Sequence, residues 1–160
     1  MRTDHLDLKG LKNLAVKLAG LCHEGDILFL RGDLGAGKTQ FAKFFIQSRL
    51  GADTDVPSPT FTIVQTYDDT DADTEIWHFD LYRIEGENEI EAIGFDEARQ
   101  YGISLVEWPD RLGRHAPAQY LNIHIGINAD ETRSVELEPI GRHWQNRLSP
   151  EKKENDGTEN

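Results

Sequence analysis

Cys22 is the sole cysteine of the chain. An internal disulfide framework is therefore excluded, and the usage fits a reducing cytosol. Cys22 lies toward the end of an amphipathic stretch and reads as core filling rather than as a reactive thiol. No apolar run approaches the roughly 20 residues needed to cross a bilayer. The first residues also lack the apolar segment of a signal peptide, so the expectation is a cytoplasmic protein without membrane association. Basic charge is scarce: 17 Lys and Arg stand against 29 Asp and Glu, for a net charge of −12. Gripping a phosphate backbone takes clustered Lys and Arg, and no basic stripe is present; strong direct nucleic-acid binding is not expected. Internal repeats are absent too. At 160 residues and 38% hydrophobic content the chain can build one ordinary core and no second one. A single domain is expected over residues 1–148, with the polar, non-periodic stretch 149–160 expected to be disordered.

Against these absences stands Gly32-Asp33-Leu34-Gly35-Ala36-Gly37-Lys38-Thr39, a complete match to the phosphate-binding P-loop. It follows the apolar run Ile27-Leu28-Phe29-Leu30 and opens into a helix-compatible stretch from Lys38 to Leu50. The motif needs that setting. A strand must deliver the glycine loop to a helix N-terminus, where free N–H groups and the helix dipole attract phosphate oxygens. Glycines let the backbone wrap the phosphates without Cβ clashes. Lys38 would reach the β- and γ-phosphates, and the Thr39 hydroxyl would ligate Mg²⁺.

Apolar residues at helical spacing (Leu11, Leu14, Ala15, Leu18, Leu21) predict an amphipathic helix over Leu8–Leu21. A strand follows over Ile27–Arg31, then the loop, then a helix to Leu50 that stops at Gly51. Pro57 and Pro59 hold their neighbours extended. Phe61–Tyr67 and Glu75–Asp80 read as strands of a hairpin around the polar turn Asp68–Thr74. Glu85–Tyr101 carries two short helical pieces broken near Gly94, and Ile103–Val106 is an apolar strand ending at Glu107-Trp108-Pro109. After an Arg- and Pro-containing loop, Leu121, Ile123, Ile125 and Ile127 alternate as a strand; Asn128–Thr132 turns the chain, and Val135 and Leu137 bring it back. The expected fold is a three-layer α/β P-loop NTPase-like fold, a mixed sheet with an antiparallel hairpin and flanking helices.

A nucleotide hydrolase needs a carboxylate at a strand's C-terminal end beside the P-loop. Asp80 and Glu107 both qualify, and Glu107 follows the more apolar, central-looking strand. Thr60 lies where P-loop switch proteins hold a hydroxyl that senses the γ-phosphate and Mg²⁺; a plain serine and threonine turn between prolines is the equally weighted alternative. Trp108 reads either as a core aromatic or as an anchor for a partner. For His78, on the strand face of Asp80, a buried hydrogen-bonded role outweighs a catalytic one. Arg83 and Arg111 could supply transition-state charge or pair with the abundant acids. His115, His124 and His143 are too scattered for a metal site. The acidic runs Asp68–Glu75 and Glu85–Glu97 read as solvated surface, with a docking face for a basic partner as the sharper alternative.

With the P-loop, Ser58-Pro59-Thr60-Phe61-Thr62, His78-Phe79-Asp80-Leu81-Tyr82-Arg83 and Glu107-Trp108-Pro109 in this order, the chain resembles the TsaE (YjeE) family from about residue 8 to about 138. These are small bacterial ATPases required for the threonylcarbamoyladenosine (t6A) modification of tRNA next to the anticodon. The resemblance implies Mg-ATP binding and hydrolysis within a complex with TsaB and TsaD, where TsaD performs the transfer. It also implies Thr39 and Glu107 as Mg²⁺ ligands, Asp80 as the strand-end acid near the metal, Thr60 as the switch residue and Lys38 as a catalytic residue. Leu8 would lie on the adenine side, with Gly35, Ala36, Gly37, Lys38, Thr39 and Gln40 completing the nucleotide contacts. Members often carry two threonines after the lysine, the second helping to hold the α-phosphate; this chain has Thr39-Gln40.

Other P-loop functions fit less well. A small-molecule kinase would share the loop, but no arginine-rich lid is present: Arg99 is the one basic residue between Glu85 and Tyr101. A GTPase switch would carry an Asn-Lys-x-Asp stretch, which is lacking. A nucleotide-sensing interaction module without turnover keeps the same residues and differs only in chemistry.

Overall fold

The computed structural model describes residues 1–149; all of the expected polar tail except Ser149 lies outside them. The elements run β1 (Arg2–Leu6), α1 (Leu8–Leu21), β2 (Ile27–Arg31), α2 (Lys38–Leu50), β3 (Val64–Asp69), β4 (Thr74–Asp80), α3 (Asn88–Ala92), α4 (Phe95–Tyr101), β5 (Gly102–Glu107), a 3₁₀ segment (Pro109–His115), β6 (Tyr120–Ile127), β7 (Arg133–Ile140) and α5 (Arg142–Leu148). The strands form one sheet in the order β1-β7-β6-β2-β5-β4-β3. Its middle is parallel, since β2 pairs with both β5 and β6 and β4 pairs with β5. Both margins are antiparallel.

Alternation along β2 explains the layers. Leu28 and Leu30 join Leu18, Phe41, Phe45 and Leu105 in a core beneath α1 and α2. Ile27 and Phe29 pack on the opposite face with Phe79, Phe95, Val106 and Leu112. Covered on both faces, β2 must be apolar at successive positions, which is why it reads as a continuous run. Asp7 caps α1 by accepting the Gly10 amide at 2.8 Å. Gly51 ends α2 at φ 118°, its N–H donating to the Gln47 carbonyl at 2.9 Å. The result is the expected three-layer α/β P-loop NTPase-like fold, with helices on both faces of a mixed sheet.

Several local expectations need correction. β3 starts at Val64 rather than Phe61, because the Ile63 amide donates to the Pro59 carbonyl at 2.7 Å and closes a turn, with Ile63 at φ 70°. The hairpin turn is shorter than Asp68–Thr74, as Asp68↔Glu75 and Asp69↔Thr74 still pair. The loop after Pro109 is wound into the 3₁₀ segment, with proline at its start. Two elements were not foreseen. β1 is polar and lacks alternation, yet pairs with β7 through Arg2↔Glu136 and Thr3↔Val135. α5 docks by burying Trp144, while Arg147 pairs with Asp26.

Candidate functional site

The parallel strands β2, β4 and β5 end together. Register places Leu30 beside Glu107 and Glu107 beside Asp80, so both acids singled out in the sequence meet the loop that β2 feeds into α2. This is the carboxyl edge of the sheet, where open α/β folds hold ligands. Gly32 begins the loop at φ 151°, pressed so closely onto β6 that a Cβ there would lie 2.4 Å from the Ile125 carbonyl oxygen. Gly37 adopts φ 115° at the N-terminus of α2, a conformation glycine reaches without a Cβ clash.

Glu107 is buried and gathers the neighbouring polar groups. Thr39 Oγ1 donates toward it, 2.8 Å from Oε1 and 3.1 Å from Oε2. His78 Nε2 lies 2.7 Å from Oε2, with His78 fully buried. Asp80 accepts the Tyr82 amide at 3.1 Å and the Thr60 hydroxyl at 3.4 Å; Thr60 in turn lies 2.7 Å from Ser58 Oγ. Burial raises the Asp80 carboxyl above the usual aspartate range, the Tyr82 N–H opposes that, and the Glu107 charge adds to it. Lys38 Nζ donates to the Gly32 carbonyl and sits 3.7 Å from the centre of the Trp108 ring. Burial lowers its pKa, opposed by Glu107, Asp80 and Asp33.

Two adjoining hollows flank the loop. One, of about 320 Å³, is lined by Lys38, Thr39, Thr60, Asp80, Glu107 and Trp108 among others. The other, of about 480 Å³, is lined by Leu6, Leu8, Leu11, Thr132 and Arg133 among others. Gly35, Gly37 and Gln40 border both. Leu8 thus belongs to the second hollow, and Gln40 sits on the ridge between the two. Ala36 is different: its side chain is buried in the core beneath the loop. Thr39 and Glu107 offer hard oxygen donors side by side, the chemistry Mg²⁺ takes. Among the described residues no group of three His, Cys, Asp or Glu could hold a metal. Mg²⁺ commonly takes one or two carboxylates and completes its shell with phosphate oxygens and water.

Trp108 is half-buried and packs against the core on the Phe79 side of the sheet. With φ 58° and ψ 52°, its ring is turned onto Lys38 and lies 5.1 Å from the Tyr82 ring. Arg83 stacks over Phe61 at 4.4 Å and pairs with no acid among the described residues. Arg133 was missed altogether, although it donates to the carbonyls of Ala36 and Gly35. Nothing in its local sequence signals a partner so far away along the chain.

Comparison with known proteins adds an independent result. The family model for the threonylcarbamoyl adenosine biosynthesis protein TsaE matches residues 6–135. The tRNA threonylcarbamoyladenosine biosynthesis protein TsaE of Bacillus subtilis is 38% identical over 135 residues, covering 84% of this chain and 82% of that protein. Its Streptomyces coelicolor counterpart is 31% identical over 139 residues, covering 84% and 93%. The Rickettsia felis protein is 42% identical over 99 residues, covering 62% of this chain and 57% of the relative. Among solved structures, that of Bacillus subtilis YdiB superposes with a TM-score of 0.72 at 31% identity, covering 92% of this chain and 89% of that one.

Proposed function

The chain belongs to the TsaE family, and from that premise we propose that it binds and hydrolyses Mg-ATP in the service of tRNA t6A biosynthesis, in the cytoplasm and in complex with TsaB and TsaD. The observation that carries the ATPase reading is the contact of Thr39, at the end of the P-loop, with the buried Glu107 at the end of β5. A strand-end carboxylate against the P-loop hydroxyl is the donor pair that Mg-nucleotide chemistry requires.

In this reading Thr39 and Glu107 would hold Mg²⁺, which supplies neutralising charge to the β- and γ-phosphate oxygens. Lys38, kept near its working position by Gly32 and Trp108, turns its ammonium to the same oxygens. Asp80, beside Glu107 on the neighbouring strand, and Thr60, joined to it by a hydrogen bond, line the same hollow and orient the attacking water. The elevated Asp80 pKa suits a group that shares a proton with that water. Slow turnover by the isolated chain is expected, because transition-state charge can be completed by a partner.

Release of phosphate from ATP by the purified chain, compared with Lys38→Ala, tests the chemistry. Unchanged turnover in Lys38→Ala would overturn the site assignment. Gel filtration with TsaB and TsaD, with and without ATP, tests the role separately: failure to co-elute in any nucleotide state would remove the partner reading while leaving the ATPase intact.

A further inference from the structure

Arg133, the first residue of β7, reaches across to the outer side of the P-loop. Its Nε donates to the Ala36 carbonyl at 2.6 Å, and Nη2 to the Gly35 carbonyl at 3.4 Å. Nη1 donates to the Glu131 carbonyl at 2.5 Å, in the turn that leads into β7. These partners are main-chain oxygens, so the guanidinium spends its donors on the direction of peptide planes.

That direction bears on anion binding. In a trans peptide the C=O and the following N–H point opposite ways. Holding the Ala36 carbonyl outward therefore turns the Gly37 N–H inward, toward the hollow that Lys38 and Thr39 line. The preceding amide is not available for this: Ala36 N–H already donates to the Asp33 carbonyl at 3.0 Å. Gly37 is also the point where the plane could most easily rotate, because glycine tolerates both signs of φ. A charge-assisted bond to the adjoining carbonyl is about twice as strong as a neutral one. It opposes that rotation.

We propose that Arg133 is a positioning residue for nucleotide binding, clamping the outer carbonyls of Gly35 and Ala36 so that the Gly37 amide is preset toward a phosphate oxygen. The proposal rests on the ATP reading for the identity of its ligand, but the clamp itself is a property of the ligand-free chain. A side chain at the start of β7 thereby couples the base-side hollow, which it lines, to the phosphate side.

The test compares wild type with Arg133→Met and Arg133→Lys. In ¹⁵N-glycine-labelled protein without ligand, the Gly37 amide resonance is expected to shift or broaden in Arg133→Met and to recover partly in Arg133→Lys. Calorimetry should then show affinity for ATP and ADP falling about tenfold or more in Arg133→Met, with adenosine affinity unchanged and partial rescue by Arg133→Lys. In turnover, KM should rise while kcat stays nearly constant, since an amide that grips ground and transition states alike contributes uniform binding. An unmoved Gly37 resonance, or wild-type ATP and ADP affinity in Arg133→Met, overturns the proposal. So does an equal loss of adenosine affinity, which would make Arg133 a wall of the base pocket only. If wild type itself binds no ATP, the functional reading falls, and the glycine spectra still decide the clamp.

Discussion

His78 Nε2 lies 2.7 Å from Glu107 Oε2, both side chains out of solvent on neighbouring strands. A carboxylate offers only acceptors, so the shared proton sits on Nε2. The imidazole fixes the rotation of the Glu107 carboxylate and leaves Oε1 facing Thr39. Such a support behind a metal-ligating group commonly accounts for about 10–100-fold in metal affinity or activity. His78→Phe is therefore expected to raise the Mg²⁺ concentration for half-maximal ATP turnover by about tenfold or more. A Mg²⁺ titration at saturating ATP checks this, and an unchanged requirement would show that Glu107 orients itself without its neighbour.

Asp80 gives a pH-dependent prediction. Its carboxyl is raised above the usual range, first by burial. Below the ordinary aspartate pKa it is protonated in both folded and unfolded chains and carries no penalty. As pH rises through the raised value, the unfolded chain has already released its proton, and the native state loses stability relative to it. Asp80→Asn removes that penalty and keeps an oxygen for the Tyr82 amide. In ligand-free protein it should melt higher than wild type near neutral pH, with the gap closing as pH falls toward about 4. Turnover should collapse in the same variant. Thermal melts across pH decide: a gap that widens on acidification would mean that Asp80 is stabilised as the anion.

Trp108 combines an unusual backbone conformation with a functional contact. A left-handed conformation costs a non-glycine residue roughly 1–2 kcal/mol, and here it lays the indole over the Lys38 ammonium at 3.7 Å. A phosphate that draws Lys38 away removes a cation from that ring. ADP should therefore change the intrinsic fluorescence of wild type saturably, and Trp108→Phe should lose most of the change. Trp144 is buried on α5 and the Trp77 ring lies against Gly94 and Gly102, at the other end of β5 from Glu107, so neither reports on Lys38. A full-sized response surviving in Trp108→Phe would place the moving charge elsewhere.

The parts of the site that were legible in the sequence are those carried by local chain geometry. Ile27 to Leu50 is one continuous strand, loop and helix, so the position of Lys38 and Thr39 follows from contiguity. Asp80 and Glu107 could be proposed because each ends an apolar strand, although only the pairing of β4 with β5 makes them neighbours. His78 is buried and hydrogen-bonded as its place on the Asp80 strand suggested, but its partner Glu107, like the contacts of Trp108 and Arg133, depends on sheet order and backbone twist, which no local spacing encodes. β1 escaped notice for a related reason. Its side chains are mostly exposed, and the strand exists because the β7 edge offers it hydrogen bonds. Ile63 hides its turn in another way: a β-branched residue at φ 70° contradicts its own propensity and is held there by the Pro59 carbonyl.

Replacing glycine by alanine at two positions should give stability changes of opposite sign. Gly20 lies on the exposed side of α1, and an added methyl there meets nothing within 4 Å. Gly20→Ala removes backbone freedom from the unfolded chain and favours the helix, so a gain of about 0.5–1 kcal/mol is expected. At Gly32 the same methyl would sit 2.4 Å from the Ile125 carbonyl oxygen and 3.0 Å from the Ala36 Cβ. The first obstacle is backbone of an interior strand and cannot swing aside. The native φ of 151° is itself strained for alanine, at a cost of about 1–3 kcal/mol before the clash is counted. Gly32→Ala should accordingly lower the melting temperature by several degrees, since about 1 kcal/mol corresponds to roughly 2–4 °C in a domain of this size. It should also weaken nucleotide binding, because relief of the clash pushes the loop away from β6. A Gly32→Ala chain that melts and binds like wild type would mean that the loop does not need its seat on Ile125.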